Sequence, residues 1–208
     1  ASGYGYNAYS GANGITGHKY IPTTWGGLGQ TPNTFTATVK ADTTEFAFTI
    51  TAAGTYYVGC GANSVQGIQT IIKDTTEPTT VTCNWTNAGE HTVGIDGTAT
   101  GYATDSVAAI SFQGNTSLVK ITGSLGKIFP TISNEDNSIA QPKFINTFSG
   151  CNELTGSIPS GLFSNLTDKP TINMFNGTFK DCVKLSGSIP SGLFGNISGI
   201  PADNVFAS

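Results

Sequence analysis

The sequence predicts a mainly β protein in which a β-sandwich is followed by a short solenoid of repeats. In the first half, short runs of β-branched and aromatic residues alternate with turn residues, as the strands of a sandwich do. In the second half, "LTGSIPSGLF" at 154–163 recurs as "LSGSIPSGLF" at 185–194, and a fixed period indicates a stacked architecture. We therefore divide the chain into a leader at 1–30, a sandwich at 31–108 and a solenoid at 109–208.

The leader is rich in glycine, tyrosine and serine and shows no regular alternation. By composition alone it is a flexible linker. Its aromatic residues nevertheless suit a contact, because tyrosine and tryptophan combine a large apolar area with a polar tip. The surface they contact is either the sandwich of the same chain or a neighbouring subunit. The candidate assembly contacts in the leader are Tyr4, Tyr6, Tyr9, Tyr20 and Trp25.

Six runs in the first half predict strands of a sandwich. In one of them, Phe46, Phe48 and Ile50 alternate with smaller residues, which is the period of a half-buried strand. Turn sequences such as "AAG", "GAN" and "NAG" separate the runs, and no helical stripe competes with this interpretation. The predicted strands are 34–40, 45–51, 55–60, 68–73, 79–85 and 90–95.

The stretch "TTVTCNWTNAGEHTVGI" at 79–95 resembles the closing strands of PKD-like domains, which have an immunoglobulin-type fold. The resemblance implies a sandwich of that type. These domains usually carry an acidic turn, and this chain has "GCGAN" at 59–63 instead. Cys60 ends one predicted strand and Cys83 lies in another, so a disulfide between them is predicted, with two buried free thiols as the alternative.

The repeats can be aligned over 144–174 and 175–205 without a gap. Apolar residues recur three or four positions apart, so one edge of each coil is expected to face inward. A weaker copy at 115–129 precedes them, as expected for a terminal repeat that has to be capped, and Val205 and Phe206 begin another copy. The predicted core rungs are Phe148, Cys151, Leu154 and Ile158 in one repeat, and Phe179, Cys182, Leu185 and Ile189 in the next.

The repeat pattern T-F-x-x-C-x-x-L-x-G-x-I-P-x-x-L-F resembles the leucine-rich repeats of BspA-like bacterial surface proteins, over roughly residues 110 to 208. The resemblance implies a curved solenoid of short strands, carried by proteins used for adhesion and surface contact. It implies no catalytic residues. Cys151 and Cys182 occupy identical positions in adjacent repeats, about 5 Å apart. That spacing permits a disulfide, but we expect each cysteine to be a small apolar rung of the core.

Composition argues against several classes of function. Charged residues make up 11% of the chain, all nine basic residues are lysine, and the net charge is −4, so nucleic acid is not an expected partner. No apolar run is long enough to span a bilayer. The chain lacks the motifs of common enzymes and zinc sites, and we expect no catalytic residues, metal or cofactor. The two histidines belong to no motif, and His91 is predicted to face outward from its strand.

The expected function is a non-enzymatic structural or adhesive role outside the cell. The chain begins with Ala1 rather than methionine, as expected if a signal or anchor was removed or the segment belongs to a longer protein. Partners are expected to be proteins, including copies of the chain that assemble into a surface fibre through the leader and through Val205 and Phe206 at the open end of the solenoid. The alternative is a carbohydrate-binding module in which Tyr56, Tyr57, Trp25 or Trp85 stacks on sugar rings, unless these side chains pack in the core.

Overall fold

The chain is mainly β. The computed structural model describes residues 10–12, 14–15, 17–21, 28–40, 42–133, 139–167, 169–194, 196–200 and 202–206. Within these ranges it has one short 3-10 helix, His18–Tyr20, and eight strands. The strands are β1 (Phe35–Val39), β2 (Glu45–Ile50), β3 (Ala53–Gly59), β4 (Ile68–Lys73), β5 (Thr79–Asn84), β6 (His91–Gly101), β7 (Ile110–Ser111) and β8 (Leu118–Gly123). Each of the six predicted runs overlaps one of these strands, but β3 begins two residues before its run and β6 continues six residues beyond its run.

The strands form two antiparallel sheets. The first has the order β4-β3-β6-β1-β8, and the second has the order β5-β2-β7. Alternation explains how they face each other: Phe35, Ala37 and Val39 of β1 are fully buried, while the threonines between them are partly exposed. Phe46, Phe48 and Ile50 bury the facing side of β2 in the same way. This arrangement is consistent with the predicted β-sandwich.

A disulfide joins Cys60, just after β3, to Cys83 in β5, with the two Cα atoms 5.4 Å apart. The predicted pairing is therefore present. Because the two strands belong to different sheets, the bond links the sheets at one edge of the sandwich. Both cysteines are fully buried in the same core as Trp85, whose indole N–H donates to the carbonyl of Cys60 at 2.7 Å.

Beyond β7, backbone hydrogen bonds join successive segments of the repeats, which are turns rather than strands. The amide of Phe112, next to β7, donates to the carbonyl of Thr147 at 2.7 Å. The amide of Phe148 then donates to the carbonyl of Thr178 at 2.8 Å, and that of Phe175 donates to the carbonyl of Val205 at 2.9 Å. Segments about thirty residues apart in the chain therefore lie side by side, each one bonded to the next.

The first sheet continues in the same direction beyond β8. The amide of Thr155 donates to the carbonyl of Val119 in β8 at 2.9 Å, and Gly156 forms a parallel bridge with Leu185. Backbone hydrogen bonds thus join both sheets of the sandwich to the repeats. One contiguous cluster of buried side chains runs from β1 to Val205 and covers both halves of the chain.

The weak first copy of the repeat lies at the junction of the two halves. It contains β8 and follows β7 directly. These strands pair with β1 and β2 of the sandwich, so the predicted boundary at 108–109 lies next to strands of both sheets. Residues 122–124 and 155–157 both read Thr-Gly-Ser, and matching these letters would place Thr122 beside Thr155. The amide of Thr155 instead donates to the carbonyl of Val119. The shared Thr-Gly-Ser letters therefore do not mark structurally equivalent positions.

Candidate functional site

The third repeat, residues 175–205, presents an apolar face at the end of the ladder. We call this surface the end face and define it by Phe179, Ile189, Phe194 and Phe206, which line a depression of about 330 Å³. Ile189 is 71% exposed and Phe206 is 56% exposed, while Phe179 and Phe194 are half-buried. Apolar side chains exposed together in this way are the usual mark of a contact surface.

Columns of stacked phenylalanine rings run through the core of the repeats and end at this face. Phe148 lies between Phe112 and Phe179, with ring centroids 5.4 and 5.3 Å away and nearly parallel planes. The outermost ring of this column, Phe179, is the one that becomes half-exposed. Two parallel columns contain Phe144, Phe175 and Phe206, and Phe163 with Phe194.

Threonine and cysteine side chains tie each repeat to the one before it. The hydroxyl of Thr147 donates to the carbonyl of Ile110 at 3.0 Å, and the hydroxyl of Thr178 donates to that of Phe144 at 2.8 Å. The thiol of Cys151 donates to the carbonyl of Phe112 at 3.2 Å. These bonds repeat because each repeat meets its predecessor in the same register, and they explain why the sequence keeps the two residue types at these positions.

The structure buries most of the predicted rungs, but not all of them. Phe148, Cys151, Leu154 and Cys182 are buried, and Ile158, Phe179 and Leu185 are partly buried against the core. The prediction that Ile189 is a core rung is wrong, because no described side chain covers it on the outer side of the third repeat and it is exposed. The matched position in the preceding repeat, Ile158, has the third repeat beside it and is correspondingly more buried.

The predicted assembly contacts divide into three groups. Val205 is buried within the core of its own chain and accepts the Phe175 amide, so its assignment as an assembly contact is wrong, whereas Phe206 is exposed. Tyr20 is buried against its own sandwich, where its ring lies 4.5 Å from that of Tyr57. Tyr4, Tyr6, Tyr9 and Trp25 lie outside the described residues.

The free thiols of the repeats are held as hydrogen-bond donors. Cys182 repeats the bond of Cys151, with its thiol 3.0 Å from the carbonyl of Phe148, and neither cysteine forms a disulfide. Burial raises the pKa of Cys151 to about 12 and that of Cys182 to about 11. Since the thiolate is the reactive form, both groups are inert in the folded chain. The structure therefore agrees with their prediction as small rungs.

We expect N-ethylmaleimide to leave Cys151 and Cys182 unlabelled in the native chain at neutral pH, and to label both quickly in denaturant. A rise in pKa of about two units lowers the thiolate fraction roughly a hundredfold, before burial slows access further. Peptide mass spectrometry at timed intervals measures the effect. Labelling of either cysteine in the native chain at the rate found in denaturant would contradict it.

Asp96, which the sequence analysis did not single out, anchors the leader on the first sheet. Its carboxylate accepts the hydroxyl of Tyr20 and the amides of Asn33 and Thr34, the last at 2.6 Å, and the ammonium of Lys19 lies 3.4 Å away. Burial alone would raise the pKa of Asp96, but the hydrogen bonds from Thr34, Tyr20 and Asn33 outweigh it and lower the pKa to about 2.

Close packing of the segment just after the leader explains the glycine at position 94, near Asp96. The carbonyl of Pro32 lies directly over Gly94, where any Cβ atom would collide with it. The sequence signal for this contact was a charged residue within a glycine-rich strand, "GIDGT" at 94–98. An isolated glycine in a strand often marks a close approach of another backbone segment.

The aromatic residues considered for sugar stacking lie in the interior. Tyr56, Tyr57 and Trp85 are buried, so they present no open ring face, and Trp25 lies outside the described residues. The outward orientation predicted for His91 is also wrong: its imidazole stacks on the Trp85 indole with centroids 4.1 Å apart. The buried tryptophan supplies an apolar surface that strand alternation alone does not reveal.

A larger groove of about 790 Å³ lies on another side of the repeats, and Lys143 lines it. The ammonium of Lys143 donates to the carbonyls of Thr104 and Asp105, both at 3.1 Å, and burial lowers its pKa. The other described lining residues are aliphatic or carry hydroxyl or amide groups, apart from Lys169, and none is aromatic. This lining offers no ring on which a sugar would stack.

Charges at the end face come from neighbouring residues of opposite sign. Lys180 and Asp181 are exposed beside Phe179, and Lys184 pairs with Glu153 of the preceding repeat at 2.8 Å.

Within the described ranges, no group of three or more His, Cys, Asp or Glu side chains is placed to hold a metal ion. The same residues include no helix with the length and hydropathy that crossing a bilayer requires.

Comparison with known proteins gives no relative: no family model, curated protein or solved structure matches the chain.

Proposed function

We propose that the chain is a non-enzymatic structural or adhesive protein of the cell exterior, and that it acts by contact through the end face. The observation that carries the proposal is a group of apolar side chains that lie together on one surface, the exposed Ile189 and Phe206 with the half-buried Phe179 and Phe194. Exposing these apolar side chains to water costs free energy, and covering them with a partner would recover it. Such a patch therefore favours association with another molecule.

The repeat pattern supports the same proposal. We infer that residues 109–208 are a short solenoid of the leucine-rich type found in BspA-like surface proteins, with the sandwich serving as its cap. The parallel bonds between segments about thirty residues apart, such as Phe148 to Thr178, support this inference. The Cys60–Cys83 disulfide supports an oxidising compartment, since such bonds are rare in the cytosol.

Immunogold electron microscopy tests the location and role together. Antibodies against the folded chain, applied to intact cells of the source organism, are expected to label the surface or material attached to it. Labelling seen only after the cells are permeabilised would refute the proposal. A glycan array probed with the same chain is expected to give no signal, because the described aromatic candidates for sugar stacking are buried.

A further inference from the structure

We propose that the edge strand β4 pairs with β4 of a second copy of the chain, antiparallel about a two-fold axis at Thr70, so that two molecules form a closed dimer. This surface belongs to the sandwich and is distinct from the end face, so the inference goes beyond the proposed function. Three features of the structure lead to it: outward backbone donors on β4, cover at the other sheet edges, and a side-chain pattern that is complementary to itself.

Alternate residues of β4 direct their backbone groups away from the sheet. The amide of Cys60, just after β3, donates to the carbonyl of Gly67 at 2.9 Å, and β3 and β4 continue from this pair in one register. Because bonded and non-bonded positions alternate in an antiparallel pair, the amides and carbonyls of Ile68, Thr70 and Ile72 point outward. These amides donate to no acceptor in the part of the chain that the structure describes.

The other sheet edges are covered by the chain itself. The carbonyl of Val119 in β8 accepts the amide of Thr155, and the amide of Phe112 beside β7 donates to a segment of the second repeat. At β5, the side-chain amide of Gln69 donates to the carbonyl of Thr82 at 3.0 Å. Proteins usually cover or blunt a strand edge, because its free backbone groups are a template for pairing. Among the described strands, β4 is the edge that stays open.

β4 is not protected against pairing in the ways that open edges usually are. A proline, a bulge or a charged side chain commonly prevents the approach of another strand. The run Ile68–Lys73 contains no proline, and its register with β3 has no bulge. Its one charged residue, Lys73, lies at the end of the strand, where its ammonium donates to the carbonyl of Glu77 and the hydroxyl of Thr79. Pairing centred on Thr70 therefore leaves this charge with its own partners.

The outer side of β4 is complementary to itself, which favours a second copy as the partner. Ile68, Thr70 and Ile72 share the outer face of the sheet, with Ile68 38% and Ile72 71% exposed. A two-fold axis at Thr70 places the two threonines opposite each other and Ile72 of each molecule opposite Ile68 of the other. Each outward amide then meets a carbonyl of the other strand, and isoleucine covers isoleucine. No charge lies on this side of the strand to require an oppositely charged partner.

The expected dimer is closed and weak. The contact uses the same edge of both molecules and leaves neither edge open, so growth stops at two. Strand addition of this kind joins the two first sheets into one. One short strand pair buries less than the roughly 1,600 Å² of a standard interface, so dimerisation is expected only at high concentration.

Sedimentation velocity over a concentration series up to about 1 mM tests the dimer. The wild-type chain is expected to pass from monomer to dimer and no further. Thr70→Pro is expected to raise the dissociation constant at least about tenfold, because it removes the outward N–H at the centre of the contact. Proline is tolerated on an edge strand where the N–H faces solvent, so this variant is expected to keep its fold, which circular dichroism checks.

A pair of double variants tests the two-fold register and does not depend on the proline. Ile68→Lys with Ile72→Lys places like charges opposite each other at both ends of the contact, and this chain is expected to stay monomeric. The matched control, Ile68→Lys with Ile72→Glu, places opposite charges there and is expected to dimerise at low salt.

Four outcomes would overturn the inference. They are a wild-type monomer at every concentration, species larger than a dimer, a dimer that folded Thr70→Pro leaves intact, and equal behaviour of the two double variants. None of them bears on the end face or on where the protein is located, which immunogold labelling decides separately.

Discussion

Replacing Phe148 with alanine is expected to lower the free energy of unfolding by about 4 kcal/mol. Phe148 is fully buried in the repeats, between the rings of Phe112 and Phe179, and its amide and carbonyl bond to neighbouring segments. Removing the ring leaves a cavity that cannot collapse easily, because the backbone on each side is held by the ladder.

The matched control is Phe206→Ala, in a parallel column of rings. Phe206 stacks on Phe175 with centroids 5.7 Å apart, but it is 56% exposed, so the loss is expected to stay near 1 kcal/mol. Urea denaturation followed by tryptophan fluorescence measures both variants. The two tryptophans lie outside the repeats, so a shift of the fluorescence transition by Phe148→Ala would also show that sandwich and repeats unfold together. Equal losses for the two variants would mean that the stack is not the stabilising core.

Local pattern was enough to predict the strands of the sandwich. The alternation of Phe46, Phe48 and Ile50 directly reports burial on one side of a sheet, because side chains in a strand point to opposite faces in turn. The same rule places His91 on the side of the buried Val93 and Ile95, so the outward prediction departed from it; the imidazole packs against Trp85 from a neighbouring segment. Contacts of this kind depend on which strands meet, and periodicity within one strand does not contain that information.

The sequence showed that the repeats match in register, but it did not show which side chains a neighbouring repeat covers. Ile158 and Ile189 occupy equivalent positions, yet only Ile158 has another repeat beside it. The burial of each isoleucine depends on whether another repeat lies beside it and not on the residue type. The same motif is therefore buried to different extents in the two repeats. The register of the weak first copy is fixed by the pairing of β8 with β1, and the letters that it shares with the later repeats do not contain that information.

Substituting Asp96 with asparagine is expected to cost about 3 kcal/mol at pH 7 and to make stability less sensitive to acid. The carboxylate of Asp96 accepts the hydroxyl of Tyr20 and the amides of Asn33 and Thr34, which hold the leader to the first sheet. Asparagine has one oxygen in place of two and no charge. At least one buried donor is therefore left without its partner.

The direction of the pH dependence follows from the lowered pKa. In the unfolded chain Asp96 has a pKa near 3.9, and in the folded chain it is about 2, so the ionised form favours folding. This contribution, about 2 kcal/mol, is fully present above roughly pH 5 and is lost as the pH falls through the folded pKa of about 2. Wild-type stability should decline over that window by this amount more than the stability of Asp96→Asn does.

The measurement is the urea midpoint from pH 7 to pH 2 for wild type, Asp96→Asn and the exposed control Asp42→Asn. The control is expected to follow the wild-type curve. Parallel curves for the wild type and Asp96→Asn would show that the carboxylate does not hold the leader by its charge. If instead Asp96→Asn loses stability at pH 7 and its curve is flatter in acid, the charged carboxylate holds Tyr20 and the segment at 33–34 on the sandwich of the same chain.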